Sequence, residues 1–325
     1  MSINITKELI SIINENGFAK PMKPFVNPDV NMPSFFLMRK FIGLNDLLII
    51  FHSKRCRYSC NYCNLNSYNS YDWISTESII KQFYYVLNEV KHSLHIIDSI
   101  TFSNNGSLLD EDTFPFDAFI EIIKATSKMK SLKKIVIETR FEFLSEDKVE
   151  AIINSNKNVN LDFLIGFETL NVEIKETILG KKFDNDIFNK SLNILSEKGL
   201  SVTMYILYKP SPYFSDEQAY EEAKMTFNFL QEICKEKKIP LTIRINPIYL
   251  SSETILGKMA LEYKEYVPPN ISDVFLLSKY IAGKGTPVYI GLSDEGVGGL
   301  SYKNRYDYPK EIVREIIKFN SSTQI

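Results

Sequence analysis

Two hydrophobic patterns alternate along this chain. Short apolar or β-branched runs fall at 46–52, 96–103, 133–139, 160–167, 201–208, 241–249 and 286–292. Their length and composition predict buried strands. Between them lie longer segments whose apolar residues recur at helical spacing. In Ser75–Lys91, Ser75 or Thr76 serves as N-cap, and Ile79, Ile80, Phe83, Val86, Leu87 and Val90 share one face. Asp117–Met129, Ser145–Asn154, Asp184–Lys198, Ser215–Lys237 and Ser272–Ala282 read the same way, with Gly199 and Gly283 where helices end. Strand–helix–strand alternation calls for parallel strands joined by right-handed crossovers. The expected fold class is α/β: a full or partial (β/α)6 barrel of parallel strands, with an open doubly wound sheet as the competing arrangement.

The boundaries follow the pattern. Residues 1–45 form an N-terminal extension, 46–292 the barrel, and 293–325 a C-terminal helical extension. Ile3 to Glu15 has helical spacing; Pro21, Pro24, Pro28 and Pro33 then impose irregular, extended backbone. Met32 to Met38 reads as an added edge strand, a lid, or most simply a wrap around the barrel.

Composition narrows the function. Hydrophobic residues make up 44% and charged residues 24%, enough for a sizeable core. The 38 Lys and Arg are outweighed by 40 Asp and Glu, which argues against a chain that grips a nucleic-acid backbone unaided. No apolar run approaches the roughly 20 residues needed to span a bilayer. Met1 to Glu8 lacks the basic flank and apolar core of a signal peptide. A reducing cytoplasm, away from membranes, is the expected location.

The candidate chemistry sits just after the first strand. Phe51-His52-Ser53-Lys54-Arg55-Cys56-Arg57-Tyr58-Ser59-Cys60-Asn61-Tyr62-Cys63 holds three of the four cysteines, spaced C-x3-C-x2-C. A structural zinc site needs a fourth protein ligand. No second C-x2-C exists, Cys234 lies far away in a helical segment, and His52, His92 and His95 have no finger spacing. Three clustered cysteines cannot all pair as disulfides either. They can hold three irons of a [4Fe–4S] cluster, leaving one iron open to a small molecule. Zinc or inert cysteines are the competing readings.

In parallel barrels the chemistry lies at the C-terminal strand ends. The second strand ends with Asn105-Gly106-Ser107, where glycine lets backbone approach a ligand. The third ends with Glu138-Thr139-Arg140, an acid and an arginine suited to a ribose diol or an α-amino carboxylate; an ion pair closing the barrel mouth is the alternative. The fourth ends with Gly166-Phe167-Glu168, the fifth with Tyr208-Lys209. Both fifth-strand residues are placed to face substrate, with a solvated Lys209 as the plainer alternative. Arg244 and Asn246 share one side of the sixth strand.

The cysteine loop, with Tyr62 just before its last cysteine, resembles the signature of the radical S-adenosylmethionine (SAM) superfamily. The resemblance implies a [4Fe–4S] cluster on Cys56, Cys60 and Cys63, with SAM on the open iron. It further implies SAM contacts from Tyr62, Asn105, Gly106, Ser107, Glu138, Arg140, Glu168 and Asn246. Asn105-Gly106-Ser107 stands where the family carries a glycine-glycine-acid pattern. The implied activity is reductive cleavage of SAM and hydrogen abstraction from a small-molecule or modified-nucleoside substrate. Glu168, Tyr208 and Lys209 would serve catalysis, and flavodoxin or ferredoxin would supply electrons. Asn105 to Asp110, Glu138 to Phe143, Tyr205 to Pro210 and Tyr263 to Pro269 are similar to segments of the archaeosine-forming radical SAM lyases, in the branch that also holds the Elongator catalytic subunit. That similarity implies, as a second possibility, a modified 7-deazaguanine in tRNA and a partner subunit. The rivals from other classes are a non-catalytic iron–sulfur or metal-binding protein and a zinc-dependent nucleic-acid module.

Overall fold

A computed structural model describes residues 29–248, 250, 254–262, 267–291 and 310–322. The helical pattern at 3–15, the resemblance at 263–266 and the start of the expected C-terminal extension lie outside the described residues. One eight-stranded sheet organises the rest, in the order β1 (Phe35–Phe41), β2 (Leu44–Ile50), β3 (Ser99–Ser103), β4 (Lys134–Thr139), β5 (Asn160–Glu168), β6 (Ser201–Tyr208), β7 (Leu241–Pro247) and β8 (Val288–Ile290). All pairings from β2 to β8 are parallel. The seven apolar runs are thus the seven parallel strands of a partial α/β barrel.

The eighth strand is β1. It pairs antiparallel with β2 through a two-residue turn, Ile42-Gly43, in which both residues have positive φ, the geometry that matches hairpin twist. Of the three readings open for Met32 to Met38, the edge strand is the one that forms.

Helices α1 (Thr76–Glu89), α2 (Phe116–Thr126), α3 (Glu146–Ser155), α4 (Asn185–Glu197), α5 (Asp216–Glu236) and α7 (Ile271–Gly283) return the chain between strands or lie beside them; α6 (Ile255–Glu262) and α8 (Lys310–Ser321) complete the set. Ser75 caps α1, and a reciprocal Ser215–Gln218 capping box starts α5.

Strand alternation divides the sheet into two faces. Leu47, Ile49, Phe102, Ile135, Ile137, Phe163, Val202, Met204, Ile206 and Ile243 point outward into one core shared with the helices. Each such side chain removed from water contributes on the order of 1.5–3 kcal/mol. The other face carries polar groups inside the curl: Asp46 accepts from Arg39 and Thr101, and Ser103 donates to Glu138. The two sheet edges meet beneath α8. Phe41 of β1 and Tyr289 of β8 stand 4.7 Å apart between ring centres. Asn320 accepts from the Ile42 and Ile290 N–H groups and donates to the Ile290 carbonyl.

Candidate active site

The cysteine loop leaves β2 and is held from both sides by asparagines. Asn66 donates to the carbonyls of Cys56 and Tyr58, at 3.1 and 2.9 Å. Asn61, between the second and third cysteines, receives its support from a single π turn, Ile174–Ile178, and the residue after it: Asn61 N–H donates to Leu179 O at 2.8 Å, and Nδ2 to Ile178 O at 2.9 Å. Gly106, at the end of β3, packs against the same loop. A Cβ there would sit 3.2 Å from Cys56 Cβ, so the glycine permits the close approach of β3 to the first cysteine.

Cys56, Cys60 and Cys63 line one open cavity of about 200 Å³ at the C-terminal strand ends. Tyr62, Asn105, Gly106, Glu138, Arg140, Glu168 and Asn246 line it too. Burial pushes the Cys56 thiol up, while the Tyr58 backbone and Arg140 draw it down. Burial also lifts the Glu138 carboxyl; the Ser103 hydroxyl and Arg244 oppose it. Burial works against the Arg140 charge, but its Glu142 partner outweighs that and holds the guanidinium firmly ionised. The Arg140 guanidinium lies 3.9 Å from the centre of the Tyr58 ring, a stacked mount that lysine would not reproduce.

Glu168 is the most constrained acid of the wall. Its φ is +69°, beside a bulge in the β5–β6 pairing, and left-handed non-glycine residues persist only where their surroundings over-determine them. Tyr62 donates to Glu168 Oε1 at 3.0 Å, and Lys181 Nζ at 2.8 Å. Lys181 also donates to Gly166 O at 2.7 Å. A Cβ at Gly166 would fall 2.3 Å from Glu168 Oε1 and 2.5 Å from Lys181 Nζ. Burial and the neighbouring Glu168 hold the Tyr62 hydroxyl well above its ordinary range, keeping it a donor.

Three expectations are corrected. Tyr208 does not reach the cavity: Tyr205 and Leu207 line it, and alternation turns Tyr208 outward, fully buried in the helix-side core. Lys209 is neither in the cavity wall nor solvated. Its φ of +65° turns it away, and its buried Nζ pairs with Asp216 on α5 at 2.9 Å. Ser107 is buried behind the wall, sharing a 2.8 Å hydrogen bond with Thr139. Arg244 and Asn246 do line the cavity, together with Gly291. Lys181 was missed by the sequence reading: it lies in a loop that carries no motif.

The donor set suits a cluster: three thiols from one loop line a single cavity, and [4Fe–4S] clusters are held by cysteine thiolates. Cys234, on α5, is buried in the helix-side core and is not among the residues that line the cavity. The acid, arginine and amide groups around the same cavity suit a charged, polyhydroxylated small molecule beside the thiols.

The family model of the radical SAM superfamily matches residues 50–223. The chain belongs to that superfamily. It is an enzyme whose cofactors are a [4Fe–4S] cluster and SAM. An uncharacterised protein of Methanocaldococcus jannaschii is 25% identical over 286 residues, 86% of this chain and 74% of the relative. The archaeosine synthase subunit beta of Thermococcus kodakarensis is 26% identical over 253 residues, 74% of each chain. Spore photoproduct lyase, solved with a dinucleoside spore photoproduct, shares the fold: TM-score 0.53 at 13% identity, covering 88% of this chain and 94% of that one.

Proposed function

We propose that Cys56, Cys60 and Cys63 hold the cluster, that the β3–β5 strand ends hold SAM, and that the β6–β8 side of the same cavity receives the substrate. One observation carries this reading: a single cavity is lined by the three thiols, by Glu138, Arg140 and Glu168, and by Arg244 and Asn246. When bound, the cluster and SAM supply one-electron reductive cleavage leading to hydrogen abstraction from the substrate. The chain's own residues orient and exclude water. Arg140, stacked on Tyr58, offers a fixed cation to a carboxylate. Glu138 and Glu168 offer acceptors to hydroxyl or amino groups, Glu168 being steadied by Tyr62 and Lys181. Leu65, Leu207 and Ile248 supply apolar wall, which keeps the site dry.

The substrate is a small molecule or a modified nucleoside. Similarity to archaeosine synthase subunit beta over 74% of both chains favours the nucleoside, acted on within tRNA and with the help of a second subunit. The electron donor would be a small flavodoxin- or ferredoxin-type protein. The test is SAM turnover. With dithionite, reconstituted protein should release 5′-deoxyadenosine. Glu138→Gln and Arg140→Ala should weaken SAM binding about tenfold, or about 1.4 kcal/mol, with iron content unchanged. Normal SAM binding by both variants would reduce those residues to a structural role.

A further inference from the structure

Behind Glu168 lies a buried polar group that the chemistry above does not use. Lys175, on the π turn, is 1% exposed. Its Nζ lies 3.6 Å from the ring centres of both Phe167 and Phe183 and has no hydrogen-bond partner among the described residues. Glu222 of α5 accepts from Thr169 and Thr226 through Oε1, while its buried Oε2 has no hydrogen-bond partner among the described residues. Phe167 and Thr169 are the two chain neighbours of Glu168. Lys181, the cation in front of Glu168, is tied to the same π turn by its N–H to the Lys175 carbonyl, at 2.9 Å. The strained acid is therefore bracketed by Tyr62 and Lys181 on the cavity side and by Lys175 and Glu222 behind.

A buried ammonium without hydrogen bonds is costly unless something replaces its water. Here two aromatic faces do so in part, an arrangement that gains strength when desolvated. Single π turns recur at functional sites, and this one serves the cysteine loop and Glu168 together. We propose that Lys175 is a positioning residue for Glu168: its ammonium, gripped by Phe167 and Phe183, holds the Glu168 turn in its cofactor-facing form, and loss of the proton releases that grip. The proposal rests on the reading that Glu168 meets SAM.

The charged groups facing Lys175 are Lys181, which disfavours its proton, and Glu168, Glu222 and Glu176, which favour it. Burial outweighs the three acids and brings its pKa down to about 7. Above that pH the grip on Phe167 and Phe183 is lost, and the Glu168 turn is no longer held in its cofactor-facing form.

Two measurements test the idea. The first needs no cofactor: NMR titration of lysine side chains in unreconstituted protein should show one resonance, lost in Lys175→Met, that titrates near neutral pH. Phe183→Leu, which removes one aromatic face, should lower that midpoint further. The second is SAM binding to reconstituted protein. Affinity should weaken several-fold between pH 6.5 and 8.5. Lys175→Met should bind weakly with no pH dependence, and Lys175→Arg tightly with none, since arginine stays charged. A Lys175 that titrates at the ordinary lysine pH, or a Lys175→Met profile that follows the wild type, overturns the proposal. If Lys175 titrates near neutrality but Glu168→Gln binds SAM as the wild type does, the cofactor reading of Glu168 is what fails, and the proposal falls with it.

Discussion

Gly166 and Glu168 show how much of this site rests on single atoms. Only a residue without Cβ leaves room for the Glu168–Lys181 pair, because the missing methyl would lie within 2.5 Å of both charged groups. Gly166→Ala should therefore part the pair by moving two flexible side-chain ends. The predicted loss of stability is small, under about 1.5 kcal/mol, whereas SAM binding should fall about tenfold; calorimetry beside equilibrium binding separates the two. Lys175 makes a second prediction at this scale. Its folded-state pKa is lowered to about 7, against an ordinary lysine value of about 10.4. Below the lower value both folded and unfolded chains hold the proton, and the cost of burying it is felt in full. Between the two values the unfolded chain binds more protons, so stability rises with pH across that window. Lys175→Met should accordingly raise the melting temperature at pH 6.5, and the gain should fade as pH approaches 10. An equal gain at both ends of the range would mean that the lysine is not buried as a cation.

At the level of elements, the site is a loop clamped between strand ends. Asn66 satisfies two carbonyls of the cysteine loop, and Asn61 docks it on the π turn. Asn66→Ala leaves both carbonyls without that donor, a predicted cost of roughly 1–3 kcal/mol, and reconstituted iron should be lost faster on dilution than from the wild type. Retention equal to the wild type would show that the cysteines hold their geometry unaided. The same scale explains what the sequence could and could not disclose. Seven apolar runs become seven strands because a strand buried on both faces reads as continuous hydrophobicity. That continuity also hides which face is which. In Tyr205-Ile206-Leu207-Tyr208 both tyrosines look equally able to face a ligand, yet alternation sends Tyr205 to the cavity and Tyr208 to the core. Arg244 and Asn246 were easier: two polar residues at spacing two in an apolar strand mark the polar face. Lys175 and Lys181 left no trace, since lysines on a short turn ordinarily mean a solvated surface, and only the rings of Phe167 and Phe183 and the carboxylate of Glu168 say otherwise.

For the whole molecule, the balance of charge sets expectations about partners. With 38 basic and 40 acidic side chains, the chain alone lacks the cation excess that gives tight, salt-sensitive binding to a phosphate backbone. Bulk tRNA should bind the isolated chain weakly in filter assays at low and moderate salt, and a second subunit should be needed for tight capture. Tight binding by the chain alone, falling steeply with salt, would contradict this. Among the described residues no helix is long and apolar enough to cross a membrane. Asn320 closes the curl by joining the β1–β2 turn to β8.

The central claim is that three cysteines on one loop hold a cluster with an open iron, and anaerobic reconstitution followed by iron, sulfide and zinc analysis tests it most directly. The account predicts about four iron and four sulfide per chain, abolished in Cys56→Ala, Cys60→Ala or Cys63→Ala and retained in Cys234→Ala. Stoichiometric zinc without iron, or a cluster that survives loss of any of the three loop cysteines, would contradict it.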